Sequence, residues 1–468
     1  MRAISLVKKI EFEFAGNVVR NALTLGDVDN DELNELIIGN DLGTVVIFKG
    51  NEVLQTIPNL SFISCVAVGK ITNQERNSLI IITSDGWCYL YETEVTSKSV
   101  NNKDEVDGQT QSSSSVPTTE TQSSSESTTG DHKLKNKSSK NLLVQVHVQR
   151  IPANVKNIVL GDVDGDGEVE MVIGLTDRVV RSYRWVSNAP IDGDQCQLSH
   201  KPSGKFVALH KWECAKQIGS ITLHYSADGK PSILVAQPGG TFMRIKCHSC
   251  NIDQSPENSS SGENPCGSVD YQFLGISRMR NQNISTEILG DLKTSDDQEN
   301  SNKSRPYAVA TLDGTIMLVQ DEVILWAIAV DHQIFALTKL DITGNGTDDI
   351  VVCSWDGQTY ILDQKKNSVR FHLEEPVRAF HSGWYSLGPG ISQVTALIYV
   401  TFKNTVIIYY DIPLKDLICK KFEPDLVKLS QLFINEDRDA DQALQYVKAM
   451  DKKTKRELVE YLLYHVKS

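Results

Sequence analysis

Three stretches of the chain share one grammar, and this repetition limits the possible folds more than any single residue does. Residues 157–185 read NIVLGDVDGDGEVEMVIGLTDRVVRSYRW, residues 22–48 read ALTLGDVDNDELNELIIGNDLGTVVIF, and residues 335–362 read FALTKLDITGNGTDDIVVCSWDGQTYIL. Each is an apolar strand, a polar turn rich in acid or amide, a second apolar strand, a tight turn and a third strand, which is the pattern of a β-meander. A unit this small cannot bury its apolar face alone, so repeats of it must pack against one another.

The tight turn between the second and third strands serves as a ruler. It falls at Leu42-Gly43, Asp85-Gly86, Asp177-Arg178, Gly239-Gly240, Asp313-Gly314, Asp356-Gly357 and Lys403-Asn404. Most of these pairs tolerate the positive φ that two-residue hairpins need. Seven such units predict an all-β fold, a seven-bladed β-propeller spanning residues 1–411. The last unit offers only three strands, and residues 4–14 are expected to supply its fourth and close the ring. Residues 96–140, rich in Ser and Thr and poor in large apolar side chains, read as a disordered insertion in the second blade.

From residue 424 to 467 the apolar period changes from two to about 3.6, which predicts a short helical tail. Leu458, Leu462 and Leu463 form one of its apolar stripes and are the candidate partner-binding residues. They can be buried against the propeller flank or in the groove of another protein.

A net charge of −13 argues against general nucleic-acid binding, which needs a basic face to displace counterions. The first residues, MRAISLVKKIEFEF, lack the unbroken apolar core of a signal peptide, and no stretch is long enough to span a bilayer. With an odd nine cysteines, most of them single in apolar strands, these features point to an intracellular chain with reduced thiols.

The acidic turns are the candidate cation sites. Asp162, Asp164, Asp166 and Glu170 take positions one, three, five and nine of a D-x-D-x-D-G-x-x-E loop, and Asp27, Asp29, Asp31 and Glu35 repeat it. Alternate residues of a tight turn point inward together, so their oxygens can surround a structural Ca²⁺. Asp341, Thr343, Asn345 and Asp349 form a less charged version. The competing reading is a solvated turn whose carboxylates only cap backbone amides. The segment 70–77 of the second blade carries Lys70 and Arg76 and does not read as a site.

These stretches, LGDVDNDELNELIIG and LGDVDGDGEVEMVIG above all, resemble the FG-GAP repeats of integrin α subunits, whose hairpin loops bind Ca²⁺ on a seven-bladed propeller. Residues 25–39, 154–185, 330–361 and KRELVEYLLYH at 455–465 are most similar to the integrin-alpha FG-GAP repeat-containing protein 2 family. The resemblance implies a non-catalytic scaffold subunit of a KICSTOR assembly, with kaptin and an SZT2-type scaffold as partners. That assembly tethers the GATOR GTPase-activating complex to lysosomes and restrains TOR signalling when amino acids are scarce. It further implies a cytoplasmic protein that meets the lysosomal membrane only through the complex.

Two other classes compete. Catalysis finds no G-x-S-x-G, Walker, H-E-x-x-H or dinucleotide signature, and a metal-dependent hydrolase would need a substrate pocket beside the acidic turns. Cys247 and Cys250 form one C-x-x-C pair, with Cys266, His248 and His224 as further ligands in principle, a weak zinc signal. A cell-surface, integrin-like adhesion propeller would need a secretory signal and paired cysteines.

Overall fold

A computed structural model of the chain describes residues 2–72, 75–93, 142–188, 204–247, 268–274, 283–294, 303–388, 390–414, 425–434 and 439–464. The Ser/Thr-rich insertion at 96–140 lies outside the described residues. Two compact units result, Met1–Pro413 and Leu414–Ser468.

The first unit is a seven-bladed β-propeller whose blades are four-stranded antiparallel sheets, each running outward from an inner to an outer strand, with a short fifth strand added in parallel to the sixth. Blade 1, for example, is Leu23–Gly26, Glu35–Gly39, Val45–Lys49 and Glu52–Ile57. The second strands are largely apolar and buried on both faces, as in Leu36, Ile37 and Ile38, because each blade is sandwiched between two others. Ile80, Ile82 and Leu90 of blade 2, for example, meet Met171, Ile173 and Trp185 of blade 3 in one core. Each fully buried Leu, Ile or Val contributes about 1.5–3 kcal/mol, so these between-blade layers hold the ring.

The hairpin turns used as a ruler bend where the sequence puts them. Gly43, Gly86, Arg178, Gly240, Gly314, Gly357 and Asn404 all have positive φ. Gly43 shows why glycine is needed: a Cβ there would lie 1.8 Å from the carbonyl oxygen of Leu60. That crowding reflects a recurring bond, in which the residue after the fourth strand donates its amide to the turn. Leu60 donates to Gly43, Ile151 to Gly86, Cys214 to Arg178, Val330 to Gly314 and Leu373 to Gly357.

In blade 7 the donor to the turn residue Asn404 is Phe14, at 2.8 Å. The outer strand there is Lys9–Glu13, antiparallel to Thr405–Tyr410 with Lys9 opposite Tyr409 and Glu13 opposite Thr405. Residues 4–8 are not part of this strand. Arg2–Ala3 instead pair in parallel with blade 6, opposite Val369 and Arg370, and residues 4–8 cross between the two blades. The cause is local: KIEFE alternates polar and apolar side chains, as a strand with one wet face must, and that alternation is broken just before it at Leu6-Val7. Ile10 and Phe12 pack on the core that joins blades 7 and 1, with the Phe12 ring 4.7 Å from that of Phe48, and Phe14 is buried in it.

Residues 15–22 then lead to the first blade. The short 3₁₀ turn Arg20–Ala22 ties distant blades together. The Arg20 guanidinium pairs with Glu287 of blade 5 at 2.7 Å and donates to the Phe335 carbonyl of blade 6. Asn21 donates to the carbonyl of Lys156 in blade 3.

Deleting residues 1–14 should abolish cooperative melting, because it unpairs Thr405–Tyr410 and strips Ile10, Phe12 and Phe14 from the closing core. The milder Phe14→Ala should cost about 3 kcal/mol in a denaturant titration. A deletion protein with unchanged melting would contradict this account of closure.

Candidate functional site

The acidic turns sit between the first and second strands of blades 1, 3 and 6, and one rule builds all three. The first residue of the second strand is a carboxylate, Glu35, Glu170 or Asp349, each fully buried. It accepts the amide of a buried apolar residue seven positions earlier, Val28, Val163 or Ile342, at 3.0 Å in every case. The first aspartate of each turn accepts two more amides. Asp27 takes those of Asp31 and Glu32, Asp162 those of Gly165 and Gly167, and Asp341 those of Asn345 and Gly346. The fifth residue caps as well, with Asp31 accepting from Leu33, Asp166 from Glu168 and Asn345 from Thr347, so the capping reading accounts for much of each turn and leaves mainly the third position and the buried acid to be neutralised.

In blades 1 and 3 the carboxylates do converge. Oxygens of Asp27, Asp29 and Glu35 lie within 4.8 Å of one another, as do those of Asp162, Asp164 and Glu170. Each cluster already holds a cation that belongs to the chain. The Lys49 ammonium lies 2.8 Å from Asp29, 2.6 Å from Asp31 and 2.9 Å from Glu35. The Arg184 guanidinium lies 3.1 Å from Asp164 and 2.7 Å from Asp166, and donates to Glu170 at 2.6 Å. Burial opposes the charge on both bases, but the surrounding carboxylates outweigh it and hold each above its usual range. Burial also pushes the Glu35 and Glu170 carboxyls up to about 7.

The arrangement at Asp27, Asp29, Asp31 and Glu35, and at Asp162, Asp164, Asp166 and Glu170, therefore differs from the expected Ca²⁺ cradle. A divalent ion would have to displace Lys49 or Arg184, so the side chains as placed do not fit one. Both bases lie on the third strand, beside the buried acid and fourteen residues after it. That spacing was available in the sequence and marks the residues that the motif alone overlooks.

Blade 6 differs at that position. Ile350 pairs with Leu362, which puts Asp363 where Lys49 and Arg184 stand in the other two blades. Among the described residues, no basic side chain pairs with Asp341 or Asp349. The Thr343 hydroxyl and one oxygen of Asp349 are buried with no hydrogen-bond partner outside this turn, and burial pushes the Asp349 carboxyl up to about 6 although the Thr343 side chain and two backbone amides pull it down. Two carboxylates, a hydroxyl and the Asn345 amide oxygen suit a hard divalent cation, and two orphaned buried oxygens are what such an ion would satisfy. The residues of blade 6 fit one. Blade 2 uses neither solution, since the hydroxyls of Thr72 and Ser78 donate to Glu92 in the same place.

Of the zinc candidates, His224 is buried, and burial lowers its pKa to about 4. Its Nε2 is bonded to the Arg305 carbonyl at 3.0 Å. Cys247 is a free buried thiol, pushed up to about 12 by burial. His248, Cys250 and Cys266 lie outside the described residues.

Among the described residues the second unit has three α-helices, Leu426–Ser430, Ala440–Ala449 and Lys452–Tyr464, the first running into a 3₁₀ turn at Gln431–Phe433. Asp425 and Asp439 cap the first two by accepting backbone amides. These two helices pack together, with Ala443 and Val447 buried and the Phe433 and Tyr446 rings 5.4 Å apart. On the third helix Leu458 is half-buried and Leu462 is exposed, while the Leu463 side chain lies outside the described residues. No helix among the described residues is long and apolar enough to cross a membrane.

Lys49→Met leaves Asp29, Asp31 and Glu35 without their counter-charge. In chelator it should cost about 3 kcal/mol, the usual penalty for breaking one side of a buried pair. Calcium should then stabilise the variant more than it stabilises the parent protein. Equal responses of the two in denaturant titrations would mean that Lys49 does not stand in for an ion.

The comparisons with known proteins agree with this architecture. A sequence profile described as integrin-alpha FG-GAP repeat-containing protein 2 matches residues 54–414. The mouse protein named KICSTOR complex protein ITFG2 is 33% identical over 426 residues, covering 89% of this chain and 86% of that protein. The bovine protein of the same name is also 33% identical, over 89% of this chain and 72% of its own length. Among solved structures, the crystal structure of BBS1N in complex with ARL6DN, soaked with lead, matches at a TM-score of 0.53 with 12% identity. That match covers 87% of this chain and 97% of the other, a likeness of fold alone. Profile and relatives together establish that the chain belongs to the integrin-alpha FG-GAP repeat-containing protein 2 family.

Proposed function

We propose that the chain is a non-catalytic adaptor subunit of a KICSTOR-like complex, carried by its 33% identity over most of its length to the mouse protein of that name. In this reading it works in the cytoplasm and reaches the lysosomal membrane through the complex. With kaptin and an SZT2-type scaffold it holds the GATOR complex there and restrains TOR signalling when amino acids are scarce. The geometry supports binding over chemistry. Two of the acidic turns spend their carboxylates on Lys49 and Arg184, inside the turn, and the buried acids face backbone amides. The decisive experiment is affinity purification of the full chain with quantified partners. Enrichment of kaptin and the SZT2-type scaffold supports the reading, and their absence overturns it.

Calcium in this reading is a structural ion of blade 6, held by Asp341, Thr343, Asn345 and Asp349. Its role is to neutralise the two carboxylates and satisfy the orphaned oxygens, which stiffens one turn and drives no switch. Calcium should raise the melting temperature of the parent protein, and Asp341→Ala should remove that increment while costing less in chelator. Equal losses in both buffers would leave the turn merely capped.

The tail is the adaptor's contact with another subunit, through Leu458, Leu462 and Leu463 on a helix of amphipathic pattern. Changing the three to Asp should weaken retention of a partner by about thirtyfold, the effect of losing a 2 kcal/mol anchor, with propeller melting unchanged. If melting falls and partners are lost only in proportion, the tail belongs to the fold.

A further inference from the structure

The outer strand of a propeller blade has one side without a sheet partner, and soluble proteins guard such edges with charge. Six of these blades follow that rule: their outer strands read EVLQTI, LVQVHVQR, GKFVALHKWE, SVDYQF, SVRFH and KIEFE, each with at least one charged residue. Blade 5 does not. Its outer strand, Val323–Ala329, reads VILWAIA. Trp326 and Ile328 turn inward onto the core shared with blade 6, and the Trp326 indole donates to the Gln364 carbonyl at 2.8 Å. Ahead of them, at a bulge that leaves Leu325 without an opposite residue, Val323, Ile324 and Leu325 are 62%, 37% and 50% exposed, and Ala327 and Ala329 are exposed as well. Among the described residues this strand pairs only with Thr315–Gln320 on its inner side.

We propose that the outer edge of blade 5 is a docking site for an extended segment of a partner protein, which adds as a fifth strand and carries basic residues on both sides of an apolar core. Three observations point to that occupant. The neighbouring edge already accepts an added strand, since Arg2–Ala3 pair with the outer strand of blade 6 and the Ile4 amide donates to the Arg370 carbonyl. Acidic residues bracket the apolar run, Asp321 and Glu322 before it and Asp331 after it, with no basic residue between them. Asp321 and Glu322 form the preceding turn with positive φ at both, and Glu322 is held in place by Gln272 of blade 4. The same bracket disfavours a second copy of the chain, because pairing two of these edges in either direction sets acid beside acid. A basic-flanked strand meets complementary charge at both ends, while main-chain bonds and the pockets for alternate side chains supply the rest.

The inference rests on the adaptor reading only for the existence of a partner, so its test uses the isolated full chain. Two synthetic peptides serve as probes, KKVTVTVTVKK and EEVTVTVTVEE. The basic peptide should slow hydrogen exchange at the amides of residues 323–329, and the acidic one should bind about tenfold more weakly. Val323→Lys with Leu325→Lys should remove this binding without altering melting, since both side chains are exposed. Should that variant fail to fold, Glu322→Lys with Asp331→Lys provides the second arm and should reverse the preference between the peptides. Equal binding of both peptides, protection at a different edge, or a concentration-dependent dimer of the parent chain protected at this strand would overturn the proposal. Failure of the affinity purification would count against the adaptor reading and leave this outcome untouched.

Discussion

A ring of sheets is stable only if the last sheet meets the first, and here that meeting depends on five residues, Lys9–Glu13, drawn from the far end of the chain. Their ladder to Thr405–Tyr410 completes blade 7, and their inward side chains fill the core that blades 7 and 1 share. Every other between-blade layer presupposes that ring, since an open arc would leave two apolar blade faces in water. Arg20 and Asn21 add polar cross-ties from the same segment to blades 3, 5 and 6. The first twenty-odd residues therefore serve as a fastener for units made almost entirely from later sequence. The cost is kinetic, because contacts separated by nearly the whole chain form slowly and leave strand edges open while they wait.

Much of this was legible in the sequence because both periods are strong. Apolar runs broken by turns with positive φ marked all seven hairpins, and the change of period after residue 424 marked the helices. The acidic turns were equally plain as motifs. What the motif could not convey was the third strand, since Lys49 and Arg184 lie in other segments and meet the loops only through the pairing of second and third strands. A ligand pattern read along one loop describes the acids and is blind to the base folded over them. The N-terminal strand was placed in the right sheet but drawn too long, because the alternation that a half-wet strand requires breaks at Leu6-Val7.

The three acidic turns show how one backbone tolerates different electrostatic solutions. The buried carboxylate and its bond to an apolar residue's amide are constant, whereas the neutralising side chain is an ammonium in blade 1, a guanidinium in blade 3 and, among the described residues, absent in blade 6. Removing one member of such a cluster leaves an uncompensated buried charge, a far larger penalty than the pair's net contribution. The turns of blades 1 and 3 should therefore change by exchange of whole sets and seldom by single losses.

A tethered cation also behaves unlike a dissolved one. The occupancy of a dissolved ion follows its supply, with the site empty whenever the free concentration falls well below the dissociation constant. A lysine anchored one strand away has an effective concentration fixed by the backbone, in the range that covalent linkage gives, and no dilution or chelator changes it. Lys49 and Arg184 thus remove the stiffness of two blades from the control of ion supply. Those two blades can hold the same shape in compartments whose free divalent ions differ by orders of magnitude.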